Sequence, residues 1–579
     1  MPVYRIASCG ESDFHIVNHQ YSDETVRYAA SELQKYLLRS TGAVVPYFSD
    51  RCPMRGPEIR IGAGVRGETE AEASLGEEGF CIRAAGEHIT ITGGGSRGVL
   101  YGVYRFLELF CGFQCFCAGV ETVRTCETLE ITLEEIRETP AFEFRDAYFR
   151  RAFDGDFCAK NRLNSSLADL SVAKGGRMKW FNFHHSFRDL VPENTYFDTH
   201  PEYFSEIDGK RVRNSQLCLT NPEVLRIAER TLREWIVKNP ECRVFSVAQN
   251  DNRNRCTCDA CMRVEAEEGS PSGPIIRFVN QLADNIRTDH PGVILHTFAY
   301  QYSLPAPKKA VARDNVIVRL CSISCRFDRP FEVSAAENPS GEEAIFVNAL
   351  RDWREHASRL YVWDYAVNFR NYLQPFLHLH TLAENIRFFR RIGIRGVLEQ
   401  GNFAYGGGAA QDDLKSYLIS KLLWDPDTDV DAAIGRYCES VYGARAGALI
   451  GEYIALAERA YEGHPLTIYQ HPDAPWLSDD FVDRAEHLFR RAMTVAENAR
   501  QREAIEREYL SVRFLRLSRM SLETEGREAL IDAFFRDVKR FGLTEIRERT
   551  SLPVMRRSMT ESRFAKAKNG EYSLYYIMQ

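Results

Sequence analysis

The sequence predicts an α/β protein built on a central (β/α)8 barrel of the TIM type, with a small α/β domain before it and a helical domain after it. Three observations predict this. Between Thr139 and about Gly408, short β-like runs recur with helical or loop-rich segments between them, the rhythm of βα units and parallel strands. The 579 residues, 44 % of them hydrophobic, exceed what one core holds, so about three domains are expected. Beyond Gln411 the apolar spacing turns helical. The expected domains are therefore residues 1–138, 139–410 and 411–579.

In the first domain a helix is expected from about Asp23, because Val26, Ala29, Ala30, Leu33, Tyr36 and Leu37 fall on one face and Gly42 is placed to end it. Phe80–Ala84 and His88–Thr92 alternate and are joined through Gly86-Glu87 as a hairpin. The glycine-rich Gly93-Gly-Gly-Ser-Arg-Gly98 then feeds a helix. It lacks the Gly-Lys-Ser/Thr ending and the dinucleotide spacing, so a tight turn onto a packed helix is preferred to a phosphate loop.

The eight barrel runs are Phe144–Phe149, Met178–Phe183, Gln216–Leu219, Arg243–Ala248, Val293–Ala299, Val316–Leu320, Leu360–Trp363 and Gly396–Leu398. Barrel enzymes assemble their chemistry at the carboxyl ends of such strands. These ends are polar and aromatic: Arg150 and Arg151, His184 and His185, Thr220 and Asn221, Gln249, Asn250 and Asp251, Tyr300 and Tyr302, Asp364 and Tyr365, Glu399 and Gln400, with Trp180, Trp363, Tyr365 and Phe369 supplying flat faces. Flat apolar faces among hydrogen-bonding groups suit a sugar ring, whose C–H faces stack while its hydroxyls need partners. Two carboxylates across one barrel mouth can carry out glycoside hydrolysis. Asp251 and Glu399 are the expected pair, with Asp364 in reserve. Glu399 follows an apolar run, where low dielectric raises a carboxyl pKa and suits a proton donor. The competing explanation for any one of these acids is a structural ion pair. Asn250, His184, His185, Arg150, Tyr300, Asp364, Tyr365 and Trp363 are the expected substrate contacts. Adjacent histidines on a strand point to opposite faces, so His184 and His185 are not expected to share a metal.

Cys256, Cys258 and Cys261 have ligand-like spacing, but no fourth ligand lies at an obvious partner spacing. Reduced cysteines stabilising a loop are preferred to a metal site or a disulfide, and no cofactor is expected. The 16 cysteines are scattered without small-secreted-domain spacing, which fits a reducing compartment. The segment beginning Met1-Pro-Val-Tyr lacks the pattern of an export signal, so the chain as written reads as cytoplasmic, or as secreted or periplasmic if a leader had been removed. The net charge of −7 is spread without a basic run, which argues against nucleic acid and anionic membrane as partners. No apolar stretch reaches the roughly 18 residues of a membrane span. Nothing in the residues indicates an oligomeric state. After Gln411, Phe481, Val482, Ala485, Leu488, Phe489 and Ala492 form one helical stripe, and a second helix is expected over about Glu503 to Met520.

Several motifs carry a family likeness. The segment Ile89-Thr-Ile-Thr-Gly-Gly-Gly-Ser-Arg-Gly-Val-Leu-Tyr-Gly-Val-Tyr-Arg-Phe-Leu-Glu108 resembles the accessory domain preceding the barrel in β-hexosaminidases and α-glucuronidases. His200-Pro-Glu-Tyr-Phe204 with Asp208-Gly-Lys-Arg211, Gln216-Leu-Cys-Leu-Thr-Asn-Pro222, Asn250-Asp251 before the cysteine triplet, and Leu423-Trp-Asp-Pro426 together resemble the family called domain of unknown function 4838. Part of that group is classified as glycoside hydrolase family 163, endo-β-N-acetylglucosaminidases acting on complex N-glycans. The resemblance spans nearly the whole chain. It implies a cofactor-free retaining hydrolase in which the substrate's 2-acetamido oxygen attacks the anomeric carbon, assisted by a polar pair after the fourth strand. Hexosaminidases of this kind carry two adjacent acids there, where this chain has Asn250-Asp251. Two assignments stay open: Asp251 orienting the acetamide with Glu399 as acid, or the reverse. The alternatives are an α-glucuronidase-like enzyme using Arg150 and Arg151 to read a uronate, a non-catalytic glycan-binding protein on the same fold, and a metal-dependent enzyme built on the cysteine triplet.

Overall fold

The computed structural model describes residues 3–561. It is a mixed α/β protein with an N-terminal α/β sheet, a central TIM-like parallel sheet and C-terminal helices.

The N-terminal sheet has six strands in the order Ile136–Glu138, Phe80–Ala85, His88–Gly93, Glu58–Ile61, His15–Asn18, Tyr47–Ser49. Two helices, Glu24–Thr41 and Ser96–Cys111, pack on it and on each other. The first begins where the Asp23 side chain accepts from Val26 N–H at 2.9 Å. It ends at Gly42, whose left-handed backbone lets its N–H reach Leu38 O. The glycine-rich turn has a packing cause: a Cβ on Gly94 would lie 1.8 Å from Gly76 O, and one on Gly98 2.2 Å from Gly79 O. Backbones touch there, leaving no room for side chains.

Seven parallel strands form the central sheet, in the order Phe144–Tyr148, Gly396–Gln400, Arg359–Tyr365, Val316–Cys321, Ile294–Ala299, Val244–Ser246, Trp180–Phe181. Seven of the eight expected runs are therefore strands, in barrel order, and Trp180–Phe181 pairs directly with Val244–Ser246. The sheet is a half-barrel: among the described residues no ladder joins its first and last strands. The expected third strand, Gln216–Leu219, is not part of it. Its backbone bonds go outward instead, from Cys218 N to Tyr203 O and from Ser205 N to Gln216 O, with Leu217 bridged to Phe204.

The concave face is an aromatic core. Phe144, Trp180, Phe183 and Trp363 surround the fully buried Arg319, whose guanidinium carbon lies 4.4 Å from the Trp180 ring centroid and 4.8 Å from that of Phe183. Cation–π attraction replaces part of the lost hydration. Burial still pushes the guanidinium down to about 10.

The stripe Phe481, Val482, Ala485, Leu488, Phe489 and Ala492 is buried on the Asp479–Val495 helix, which Ser478 caps. The second expected helix spans Ala499–Arg519. Its Arg507 reaches Asp412 at 2.7 Å, while Asp413 pairs with Arg151 at 2.7 Å. This ion network, buried except at Arg151, ties the helices to the turn after the first barrel strand. Residues 562–579 of the expected third domain lie outside the described residues. Among the described residues, no helix is long and apolar enough to cross a membrane.

Candidate functional site

Side chains alternate across a strand, so parity decides which strand-end residues enter the concave face. On Ile294–Ala299, His296 and Phe298 point inward, their rings meeting Trp180 and Trp363. Tyr300 continues that parity and reaches the mouth, where its hydroxyl donates to Asp251 Oδ1 at 3.1 Å and accepts from Gln301 Nε2 at 2.9 Å. Burial, then the Asp251 charge, pushes this phenol above its ordinary value, so it remains a donor. Gln301 holds a left-handed backbone with φ 52°, a strained conformation for a non-glycine residue directly behind that bond.

His185 completes the grouping. Its Nδ1 donates to Gln249 O at 2.6 Å, and its Nε2 lies 3.9 Å from Asp251 Oδ1. Burial lowers its pKa, keeping the ring neutral near pH 7. Asn250 has a different task from the expected sugar contact. Its Oδ1 accepts from Arg188 N–H at 3.0 Å and its Nδ2 donates to Ser215 O at 2.8 Å. Gln216 braces the same loop, donating to Asn250 O at 2.8 Å and Asn252 O at 2.9 Å and accepting from Asn250 N–H at 2.7 Å. The run read as a third strand thus serves as a bracket for the Asp251 loop.

Tyr365 enters the same space from the Arg359–Tyr365 strand and meets Phe369 edge-on at 5.8 Å, with Tyr469 6.2 Å from Phe369. Backbone bonds from Phe369 N to Ile468 O and from Tyr372 N to Ile546 O bring two segments of the C-terminal region over this wall. The second carries Glu548, a half-buried carboxylate that the sequence reading missed. Burial raises its pKa. Arg549 opposes that shift, and Asp251 adds to it, so the two carboxylates are in electrostatic reach of each other. Tyr469 feels both. No local motif marks Glu548, since only the tertiary fold returns this segment to the barrel.

Parity separates the expected pair. Trp363 and Gln400 face inward, joined by a 2.7 Å bond from Trp363 Nε1 to Gln400 Oε1, so their neighbours Asp364 and Glu399 face outward. Asp364 and Glu399 stand in register on adjacent strands, fully buried, behind the sheet. Burial pushes Asp364 up to about 7. Glu399 is raised well above its usual range by burial and by the Asp364 charge. Ser322 donates to Asp364 Oδ1, and Cys325, beside Glu343 on the Glu342–His356 helix, feels the Asp364 charge. The structure therefore brings Asp251, His185, Tyr300 and Tyr365 together and sets Glu399 and Asp364 apart from them.

At the rim, His184 is exposed, and Arg150 is exposed with its guanidinium 4.9 Å from the Tyr405 ring centroid. Arg151 is committed to Asp413. For the cysteine triplet, the structure supplies the fourth thiol that spacing did not reveal: Cys218 lies with Cys256, Cys258 and Cys261, all four sulfurs within 4.8 Å of one another.

Among solved structures, a family GH115 4-O-methyl-α-glucuronidase with specificity for decorated arabinogalactans is similar at 12 % identity and TM-score 0.58, over 95 % of this chain and 81 % of that one. A GH138 enzyme targeting pectin rhamnogalacturonan II is similar at 11 % identity and TM-score 0.51, over 95 % and 79 %. A Streptomyces plicatus β-hexosaminidase matches at 13 % identity and TM-score 0.44, over 78 % and 93 %. At these identities the first two likenesses show a glycoside hydrolase-like fold. No curated protein matches the chain. Residues 10–106 match the glycosyl hydrolase family 67 N-terminus. Residues 117–455, more than half of the chain, match the domain of unknown function DUF4838, and the chain belongs to that family.

Proposed function

We propose that the protein is a glycoside hydrolase that cleaves a β-linked N-acetylhexosamine at the mouth of the half-barrel. The observation that carries this is Asp251, a solvent-facing carboxylate fixed by the Tyr300 hydroxyl, beside an aromatic wall, whose charge is felt by a second carboxylate, Glu548. Glu548, raised by burial, is the proton donor to the leaving oxygen as the C1–O bond breaks. The substrate's acetamide oxygen closes on C1 from the opposite face, while Asp251 accepts the acetamide N–H and Tyr300 holds Asp251 in place. Water then opens the resulting ring, giving its proton to the Glu548 carboxylate, and the anomeric configuration is retained. Asp251 and Glu548 replace the pair expected from sequence, because Glu399 lies behind the sheet.

A uronate-specific reading is favoured by one observation, the exposed Arg150 guanidinium at the rim. The experiment that separates the two is turnover of a nitrophenyl N-acetyl-β-glucosaminide against a nitrophenyl α-glucuronide. Hydrolysis of the first alone supports the proposal. Hydrolysis of the second alone replaces it with the uronate reading, and inertness towards both, with sugar binding retained, marks a glycan-binding protein.

A further inference from the structure

We propose that Cys218, Cys256, Cys258 and Cys261 bind one zinc ion as a closed tetrahedral tetrathiolate that fixes the loop carrying Asp251. The Sγ atoms of Cys218 and Cys258 are 3.7 Å apart, and those of Cys218 and Cys261 3.9 Å. A zinc–sulfur bond of about 2.3 Å gives a tetrahedron with edges of roughly 3.8 Å. A disulfide would hold two sulfurs at about 2.05 Å, and all four cysteines are free thiols.

The surroundings suit a metal better than packing. Buried cysteines usually sit among aliphatic and aromatic side chains, yet these four form a cluster of their own, separate from the main core. The groups around them donate towards sulfur. Glu206 N–H reaches Cys256 Sγ at 3.3 Å, Arg211 Nη1 lies 3.8 Å from the same atom, and the Thr220 hydroxyl is 3.2 Å from Cys261 Sγ. Cys258 occupies the N-cap position of the Asp259–Glu268 helix and Cys261 lies in its first turn, where the positive end of the helix dipole favours thiolates. Four thiolates around a dication leave two net negative charges, which the Arg211 guanidinium partly offsets. Binding displaces the thiol protons to solvent and changes no oxidation state.

Four protein ligands leave no open position, so the zinc is structural and takes no part in bond cleavage. Its role follows from what it joins. Cys218 belongs to the bracket around Gln216, and the other three follow Asp251, from the end of the loop that Gln216 holds into the first turn of the helix after it. Thr257 N–H also bonds Glu206 O at 2.8 Å, bringing in the hairpin of Glu206–Ile207 and Lys210–Arg211. The zinc would thus lock three chain segments below the Asp251 carboxylate.

The full chain, purified under reducing conditions without added metal, is tested by elemental analysis, which is expected to give about one zinc per chain. Cys218→Ser is expected to lose that zinc, while Cys242→Ser, away from the cluster, retains it. Should Cys218→Ser fail to fold, the wild-type protein answers alone: zinc released by a mercurial, followed by thiol reduction and added Co2+, is expected to restore a tetrahedral cobalt–thiolate spectrum. Protein with no stoichiometric metal and no such cobalt spectrum overturns the proposal, as do disulfides among these four residues in the folded protein.

Discussion

Tyr300 donates its hydroxyl to Asp251 Oδ1 at 3.1 Å while accepting from Gln301 at 2.9 Å, so the carboxylate is oriented by a two-step relay on the fifth expected barrel strand's end. Removing the hydroxyl leaves the ring in place and frees Asp251 to rotate. Tyr300→Phe is expected to lower kcat/KM by roughly 10- to 100-fold with an unchanged circular dichroism spectrum. Steady-state kinetics on a nitrophenyl N-acetyl-β-glucosaminide checks this.

Glu548 as proton donor makes a leaving-group prediction. Glu548→Gln is expected to cost roughly 10²- to 10⁴-fold on a substrate with a sugar leaving group and much less on a nitrophenyl substrate, whose leaving group departs without a proton. The pH profile adds a sign. Because burial raises this carboxyl, its acid form persists above the ordinary carboxylate range, and kcat falls as pH rises through the raised value. The variant is expected to lose that basic limb.

The buried Asp364 and Glu399 dyad contributes a pH dependence to stability. Burial raises both, so between the unfolded values near 4 and the folded values, about 7 for Asp364, the native state holds more protons than the unfolded state. The stabilising effect of protonation is complete below the unfolded values and is lost as pH rises through the folded ones. The urea midpoint is expected to fall from pH 5 to pH 8, and Glu399→Gln is expected to flatten that slope. Equilibrium unfolding at several pH values measures it.

Gln216 is a positioning residue. Its amide bonds Asn250 on both backbone groups and Asn252 on its carbonyl, beneath Asp251. Gln216→Ala leaves these groups short of partners and is expected to destabilise the fold by roughly 1–3 kcal/mol. kcat is expected to fall with it, because the Asp251 loop loosens. Thermal unfolding and kinetics on the same sample test both effects.

Much of the architecture was legible in the residues, and the exceptions have physical causes. Apolar runs bounded by turn signals marked seven of the strands, and helical stripes such as Phe481 to Ala492 identified the buried faces. Gln216–Leu219 has strand-like composition, yet its backbone pairs with residues 203–205 and its glutamine braces a loop, choices that only tertiary contacts settle. Asp251, His185, Tyr300 and Tyr365 lie at or just beyond the ends of expected strand runs, and the structure brings them together at the mouth. A strand-end position alone does not fix the facing of Glu399 and Asp364; parity does. In Leu360-Tyr-Val-Trp-Asp-Tyr the aromatic residues alternate inward, and that alternation already turns Asp364 outward. Glu548 and Cys218 lay beyond any local signal, since each is brought to its cluster by a distant segment of chain.

The most direct measurement is the hydrolysis rate of a nitrophenyl N-acetyl-β-glucosaminide by wild-type protein, Asp251→Asn and Glu399→Gln, each verified as folded. The expected result is turnover by the wild type, a loss of roughly 10²-fold or more in Asp251→Asn, and a rate in Glu399→Gln close to that of the wild type. An Asp251→Asn variant as active as the wild type, or a folded Glu399→Gln variant without turnover, would contradict a site built at the barrel mouth on Asp251.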